Sequence, residues 1–196
     1  MLARHDTFTV LDFETTGVVQ GYPNEPWQIG LVVVKKGRIR VHGKFNKLLH
    51  VGDRPFNVYA PGRHQELMPR IRRSKSLPEY WPKLQPVLDN QNLVAHNAAT
   101  ERKVLHTAFP MHHFGPWIDT LTLTRIAYPT LPSHKLEDLV YYLNLQSRIN
   151  EFCPDLEAHD AFYDAVACAA VLEKLINLDS WKKVTTQQLI NAKGKK

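Results

Sequence analysis

The amino-acid sequence predicts an α/β fold in which a mixed β-sheet carries helices on its faces. Up to residue 49 the chain reads as consecutive strands, and beyond residue 78 short strands alternate with helical patterns. Consecutive strands pair in antiparallel hairpins, whereas strand–helix–strand units give parallel pairing. The length of 196 residues suits one domain with a full core. We therefore expect one domain at 1–180 and a basic C-terminal tail at 181–196.

The predicted strands are runs of apolar and β-branched residues. The first three form a meander over residues 7–49, in which Lys35, Lys36 and Gly37 indicate a hairpin turn. The runs cover residues 8–11, 27–34, 38–49, 92–95 and 117–119.

The predicted helices repeat apolar residues at helical spacing. Pro82 and Pro86 make the first of them irregular. Ser133 is expected to cap the fourth helix, which would run to Leu143. The helices cover residues 79–88, 98–109, 120–127, 133–143 and 160–178.

Residues 50–78 have no regular pattern, because prolines and a glycine break the segment repeatedly. We predict a long loop, which in a compact domain is functional or mobile. A solvated charged loop and a nucleic-acid contact are both open interpretations. The cations of this segment are Arg63, Arg70, Arg72, Arg73 and Lys75. For 181–196, which ends in Lys193-Gly194-Lys195-Lys196, fraying is favoured over a basic contact.

Charge and cysteine content restrict the class of protein. A formal net charge of +6 and a pI near 9.3 favour a polyanionic partner. Cys153 and Cys168 do not form a disulfide framework, which indicates a reducing cytoplasm. The first residues contain no apolar signal core, and no apolar run reaches transmembrane length, so no membrane partner is expected.

Two acids lie at the end of the first strand. Side chains alternate along a strand, so Asp12 and Glu14 point to one face and Phe13 points to the other. Two desolvated carboxylates repel each other unless a cation lies between them, and Mg²⁺ binds such carboxylates together with substrate phosphates. A strand that simply ends in solvated acids is the plainer interpretation of this pair alone.

Acids elsewhere in the chain favour the metal site. Glu101 lies about one turn into the helix that follows His96 and Asn97, and strand ends in α/β sheets face the ligand crevice. Asp164 lies just inside the long helix among apolar residues, where an acid needs a partner. His159 lies at the start of this helix, and histidine suits proton abstraction from water near neutral pH. Singly, Glu101 would be an exposed helical acid and His159 a surface imidazole.

The ordered set of motifs resembles the DEDDh group of 3′–5′ exonucleases, which includes the proofreading subunit of bacterial DNA polymerase III, RNase T and oligoribonuclease. The resemblance covers residues 7–178. The matching motifs are Asp12-x-Glu14 with Thr15-Thr16-Gly17, Ile29-Gly30, His96-Asn97-Ala98 with an acid at 101, Asp119-Thr120-Leu121, and His159 with Asp164. The resemblance implies a ribonuclease-H-like fold with a five-stranded mixed sheet.

The resemblance also implies a metal-dependent enzyme that removes nucleoside 5′-monophosphates from single-stranded 3′ ends of DNA or RNA. His159 would be the general base. Phe13 and Phe162 are candidates for stacking the last base, although aromatic residues in such positions are more often simply core residues. The implied ligands of two Mg²⁺ or Mn²⁺ ions are Asp12, Glu14, Glu101 and Asp164. The implied substrate-binding residues are Thr15, Thr16, Gly17, His96 and Asn97. A homodimer, as in RNase T and oligoribonuclease, or association with a polymerase would fit the same group.

The sequence departs from the group in three places. Glu101 replaces the usual Asp, which moves the carboxylate outward by about 1.5 Å. A bridging water can absorb that shift, so we expect activity with an altered metal preference. Gln28 stands where many members have Glu. The stretch 63–75 replaces the usual loop before the second motif, which leaves the choice between DNA and RNA open.

Three other interpretations are compatible with the sequence. The chain could be a non-catalytic nucleic-acid-binding module on the same fold. Glu101 and the basic stretch 63–75 favour this interpretation. It could be a polymerase-accessory subunit tethered by 181–196. A zinc site from His112, His113 and Cys153 is the weakest, because the spacing matches no standard zinc pattern.

Overall fold

The computed structural model describes residues 1–193, without the side chains of residues 41 and 42. Its strands are β1 (Thr7–Thr15), β2 (Pro26–Lys35), β3 (Arg38–Leu48), β4 (Leu93–Ala95) and β5 (Trp117–Asp119). They form one sheet in the order β3-β2-β1-β4-β5. The meander β1–β3 is antiparallel, whereas β1, β4 and β5 are parallel. The predicted five-stranded mixed sheet is therefore confirmed.

Helices cover both faces of this sheet. The α-helices within the described residues are α1 (His64–Ile71), α2 (Trp81–Leu88), α3 (Ala99–Ala108), α4 (Thr120–Ala127), α5 (Leu136–Tyr142), α6 (Gln146–Asn150), α7 (Ala161–Ile176) and α8 (Thr186–Ile190). Between residues 1 and 193, no helix combines the length and the apolar character that crossing a membrane requires.

The apolar core lies on both sides of β1, because its side chains alternate. Phe8 and Val10 belong to the core cluster that contains most of α7, whereas Leu11 and Phe13 pack with α2 and α3. A Cβ at Gly30 of β2 would overlap the carbonyl of Ala161. Only glycine therefore allows the start of α7 to lie against the sheet, directly beside the end of β1.

Residues 50–78 are not a loop throughout, because α1 forms within them. Pro69 lies inside this helix and disfavours it. Packing compensates, since the buried His64 ring stacks on Phe56 and meets Trp27 edge-on. Tertiary contacts of this kind cannot be read from a proline-rich sequence.

Two helix ends also differ from the prediction. α5 begins at Leu136 rather than at Ser133, whose hydroxyl instead accepts a hydrogen bond from the Lys135 N–H (3.3 Å) in the preceding turn. Helix α8 lies within the predicted tail, with a capping box at Thr185 and Leu189 buried in the core, so the tail is not frayed there. Residues 194–196 of the tail lie outside the described residues, and the division at residue 180 stays a prediction.

Candidate active site

A cavity of about 510 Å³ opens where β1 ends. Its wall combines the loop after β1, the segment 57–61, the start of α3, the start of α5 and the chain leading into α7. The predicted site residues that line it are Asp12, Glu14, Thr15, Gly17, His96, Asn97, Glu101, His159 and Asp164. The structure therefore brings the three distant motifs to one place.

The start of α7 is attached to β2 by Gln28, which is 2% exposed. Its side-chain nitrogen donates to Asp160 Oδ2 at 2.8 Å, and its oxygen accepts from the Ala161 N–H at 3.4 Å. The other oxygen of Asp160 caps α7 by accepting from the Phe162 N–H at 2.9 Å. An amide can donate to Asp160 whereas a carboxylate cannot, which explains physically why Gln at position 28 is compatible with Asp160.

His159 and Asp164 are connected through the backbone at this helix start. The His159 N–H donates to Asp164 Oδ2 at 3.0 Å, with His159 in the left-handed region at φ 67°. Ligand atoms of Glu14, His159 and Asp164 all lie within 4.8 Å of one another. Two carboxylates and an imidazole therefore converge on a single point.

Glu101 is not the exposed helical acid that its position next to Arg102 suggested. It is 3% exposed, and its Oε2 has no hydrogen-bond partner among the described residues. A buried, unpartnered carboxylate oxygen is costly, so this atom calls for a ligand.

The four acids share a strongly unfavourable electrostatic environment. Burial, together with the charges of Glu101, Asp164 and Glu14, raises the pKa of Asp12 well above its ordinary value. Burial and the charges of Asp164 and Asp160 raise the pKa of Glu14 to about 8. Burial likewise raises the pKa values of Glu101 and Asp164 to about 7 each. Carboxyl groups that resist ionisation to this degree need cationic compensation to be charged at neutral pH.

This donor set fits a divalent cation. Hard cations such as Mg²⁺ and Mn²⁺ prefer carboxylate oxygens, and the converging atoms of Glu14 and Asp164 and the unpartnered oxygen of Glu101 supply them. Glu14 and Asp164 thus supply two carboxylates of a possible acidic metal site, with the His159 imidazole beside them.

Of the residues predicted to bind substrate, Thr15, Gly17, His96 and Asn97 line the cavity and Thr16 does not. Thr16 is 1% exposed, its N–H donates to the Glu25 carbonyl at 2.8 Å, and its hydroxyl accepts from the Glu25 N–H at 3.1 Å. Neither group can reach a substrate, so Thr16 holds the loop together instead.

The other candidates for substrate binding are the aromatic rings of Phe13 and Phe162 and the imidazole of His96. Both rings are buried, at 5% and 4% exposure, but Phe13 lines the cavity whereas Phe162 does not, so Phe162 is not available to stack a base. Both ring nitrogens of His96 are occupied, by Thr120 Oγ1 and by the His134 carbonyl at 2.9 Å each. His96 therefore shapes the wall rather than offering a hydrogen bond to a ligand.

Among the wall residues that sequence reasoning missed, Glu137 and Tyr59 bear most directly on the chemistry of the site. Glu137 Oε1 lies 3.2 Å from His159 Nε2. Tyr59 is 91% exposed at the cavity rim. Its loop is joined to the loop after β1 because the Asn57 side chain donates to the Val18 carbonyl (2.8 Å) and accepts from the Tyr59 N–H (2.9 Å). Glu137 lies within a predicted helix and Tyr59 in an irregular segment, so neither carried a local signal.

The candidate zinc site is not formed. His112 packs on Trp81 beside Asp89, whereas Cys153 is buried in the other core cluster with its Sγ 3.5 Å from the Ile149 carbonyl.

In the basic stretch 63–75, Arg63 forms an ion pair with Glu66 at 2.9 Å at the start of α1.

Fold and site together define a ribonuclease-H-like nuclease. A family model described as an exonuclease (RNase_T) matches residues 9–172, and the chain belongs to this exonuclease family. The resemblance to the DEDDh exonucleases is thereby confirmed.

Individual relatives agree with this assignment. The chain is 30% identical over 175 residues to a DNA polymerase III PolC-type protein of Halalkalibacterium halodurans, covering 86% of this chain and 11% of that protein. It thus spans about a tenth of that relative's length. A structure of Exonuclease X with 5′ overhanging duplex DNA is 26% identical, with TM-score 0.71 over 94% of this chain and 98% of the other. The nuclease domain of 3′hExo, a DEDDh family member bound to rAMP, shares the fold at 14% identity and TM-score 0.59, over 90% and 94% of the two chains.

Proposed function

We propose that this protein is a metal-dependent 3′–5′ exonuclease that hydrolyses single-stranded nucleic acid ends to nucleoside 5′-monophosphates. The observation that carries the proposal is the convergence of four acids and His159 in one open cavity, with Glu14 and Glu101 buried and Asp12 and Asp164 partly exposed. The chain's membership of an exonuclease family supports it independently.

The residues that would hold two Mg²⁺ or Mn²⁺ ions are Asp12, Glu14, Glu101 and Asp164. Ions bound there would stabilise the charge on the attacking and leaving oxygens of a phosphodiester. The positive charge of such ions would favour the ionised form of these carboxylates, because it offsets the burial and the mutual repulsion that raise their pKa values.

His159 takes the proton from the attacking water in this proposal. Its ring lies beside Asp164 and Glu14, at the point where the acids converge. Glu137, 3.2 Å from Nε2, stabilises the positive charge that the ring gains when it accepts a proton.

The substrate end lies between the loop after β1 and α3. Gly17 at φ 75° brings the backbone close to the sugar, and the exposed Asn97 side chain lies on the wall beside it. Tyr59 offers an exposed ring for a base, which favours an unpaired end because every base can stack. Exonuclease X with duplex DNA and exonuclease I with a dT13 oligonucleotide are solved neighbours whose bound ligands support a nucleic-acid substrate.

A polymerase partner is supported by the PolC-type relative, of which this chain matches only a small part. A homodimer and a cytoplasmic location stay predictions from the sequence.

Product analysis tests the proposed function. Matched single-stranded DNA and RNA, labelled at the 5′ end or in the terminal 3′ nucleotide, are incubated with Mg²⁺, Mn²⁺ or EDTA. We expect ladders from the 5′ label and immediate release of labelled mononucleotide from the 3′ label, only with metal. Full-length oligonucleotide under all conditions would instead indicate a non-catalytic binding module.

A further inference from the structure

A second cavity of about 560 Å³ lies against α3, and we refer to it as the α3 groove. Thr100, Lys103, Val104 and Thr107 form its helical wall at positions i, i+3, i+4 and i+7. Thr100 also lines the catalytic cavity. The two cavities therefore meet at Thr100, one residue before Glu101.

The opposite wall of the α3 groove is held in place by the chain itself. It includes residues 23–26, in which Glu25 pairs with Arg54 at 3.1 Å. Glu25 is also hydrogen-bonded through its backbone to Thr16, as described above. The groove is therefore formed before any ligand binds, and its far wall is attached to the loop that carries Gly17.

The chemistry of the groove suits a nucleotide. Leu77 and Val104 give it an apolar floor, on which a base can lie. Lys103 and His50 are exposed on its walls, and the charge of Glu25 is offset by Arg54. A pocket of several hundred cubic ångströms with an apolar floor and a cation is the usual form of a small-ligand site, and Lys103 provides the charge for a phosphate.

We propose that the α3 groove binds the scissile strand two to four nucleotides before the terminal nucleotide, so that a dinucleotide does not extend into it. This inference rests on the proposed function, because a strand whose last nucleotide occupies the catalytic cavity must continue into a neighbouring space. Continuity at Thr100 and the positive charge of the groove favour this path for the strand.

The test compares substrates of different length. Lys103→Glu reverses a charge on the groove, and Lys83→Glu makes the same change on the exposed face of α2, outside both cavities. We expect Lys103→Glu to raise KM for a hexanucleotide at least about fivefold, with KM for a dinucleotide and kcat within about twofold of the parent. Thr107→Trp fills the groove and should act in the same direction, whereas His106→Trp on the adjacent exposed position should not.

If Lys103→Glu changed KM equally for the dinucleotide and the hexanucleotide, or changed neither KM, the proposed path would be overturned. Dinucleotide turnover by the parent protein reports the exonuclease activity separately, so loss of the groove and loss of the proposed function are distinguishable. If the protein cleaves neither substrate, fluorescence anisotropy in EDTA measures the Kd of the labelled hexanucleotide for the parent and for each variant. A Kd that is unchanged by both Lys103→Glu and Thr107→Trp would then overturn the inference.

Discussion

The Gln28 side-chain amide donates to the Asp160 carboxylate at 2.8 Å, although the two residues are 132 positions apart in the chain. This bond joins the middle of the sheet to the residue that caps α7, between His159 and Ala161. The position of His159 and Asp164 thus depends on an uncharged donor at position 28.

Replacing this donor by an acid should disturb the site. Gln28→Glu would bury a second carboxylate against Asp160, so we expect a loss of about 1–3 kcal/mol in the free energy of unfolding and about tenfold lower activity. Gln28→Glu with Asp160→Asn should recover both, since an amide at position 160 can donate to the new carboxylate and its carbonyl can still cap α7. Thermal unfolding and initial rates measure this, with the exposed Gln85→Glu as the control. A single variant as stable as the parent would contradict the role of the bond.

Metal-free stability should decrease as the pH rises. The pKa of Glu14 is raised to about 8 and those of Glu101 and Asp164 to about 7, so the folded state binds protons that the unfolded state releases near pH 4. The stability that these groups contribute in EDTA is fully present below about pH 4 and is lost as the pH rises through 7 to 8, so Tm should be lower at pH 8 than at pH 5 by at least about 4 °C.

Saturating Mn²⁺ should recover the lost Tm at pH 8 and have little effect at pH 5. Glu14→Gln should flatten the pH dependence, because it removes one of the groups with a raised pKa. A Tm in EDTA that is the same at pH 5 and pH 8 would contradict the raised pKa values of these carboxyl groups.

His159→Ala should lower kcat by about 10²- to 10⁴-fold, the usual contribution of a general base. The side chain is about half exposed and its backbone N–H, which holds Asp164, is kept in the variant. Stabilisation by Mn²⁺ should therefore be retained. A kcat within threefold of the parent would exclude His159 as the base.

Tyr59→Ala should weaken substrate binding without affecting the acids. Stacking of one base is worth about 1–3 kcal/mol, so KM for an oligonucleotide should rise at least about fivefold. Tyr59→Phe keeps the ring and should behave like the parent. Tyr141→Ala removes another exposed tyrosine, which does not line the cavity, and serves as the control. Equal KM values for the Ala and Phe variants at position 59 would argue against stacking.

The sequence predicts those parts of the molecule that depend on local pattern. The alternation in β1 placed Asp12 and Glu14 on one face, and the apolar residues around Asp164 indicated that this acid needs a partner. That Asp164 shares a site with Asp12 and Glu14 was implied by the family resemblance and not by a local pattern. Helix α1 could not be predicted, because its stability comes from the contacts of His64 with Trp27 and Phe56 and not from its proline-containing sequence.

Site residues that depend on tertiary contacts could likewise not be predicted from the sequence. Glu137 meets His159 only after α5 and α7 have packed, and Tyr59 reaches the rim only because Asn57 joins two loops. Thr16 matched its motif yet faces Glu25, since a motif does not report which way a loop side chain turns.

The most direct measurement compares the parent protein with Asp12→Asn in Mn²⁺-dependent shortening of a 5′-labelled single-stranded oligonucleotide. Asp53→Asn, at an exposed turn away from the cavity, is the matched control. We expect a ladder of shortened products from the parent and the control, and intact oligonucleotide from Asp12→Asn with an unchanged circular dichroism spectrum. Shortening by purified Asp12→Asn at the parent rate would contradict the assignment of the buried acids as the catalytic metal site.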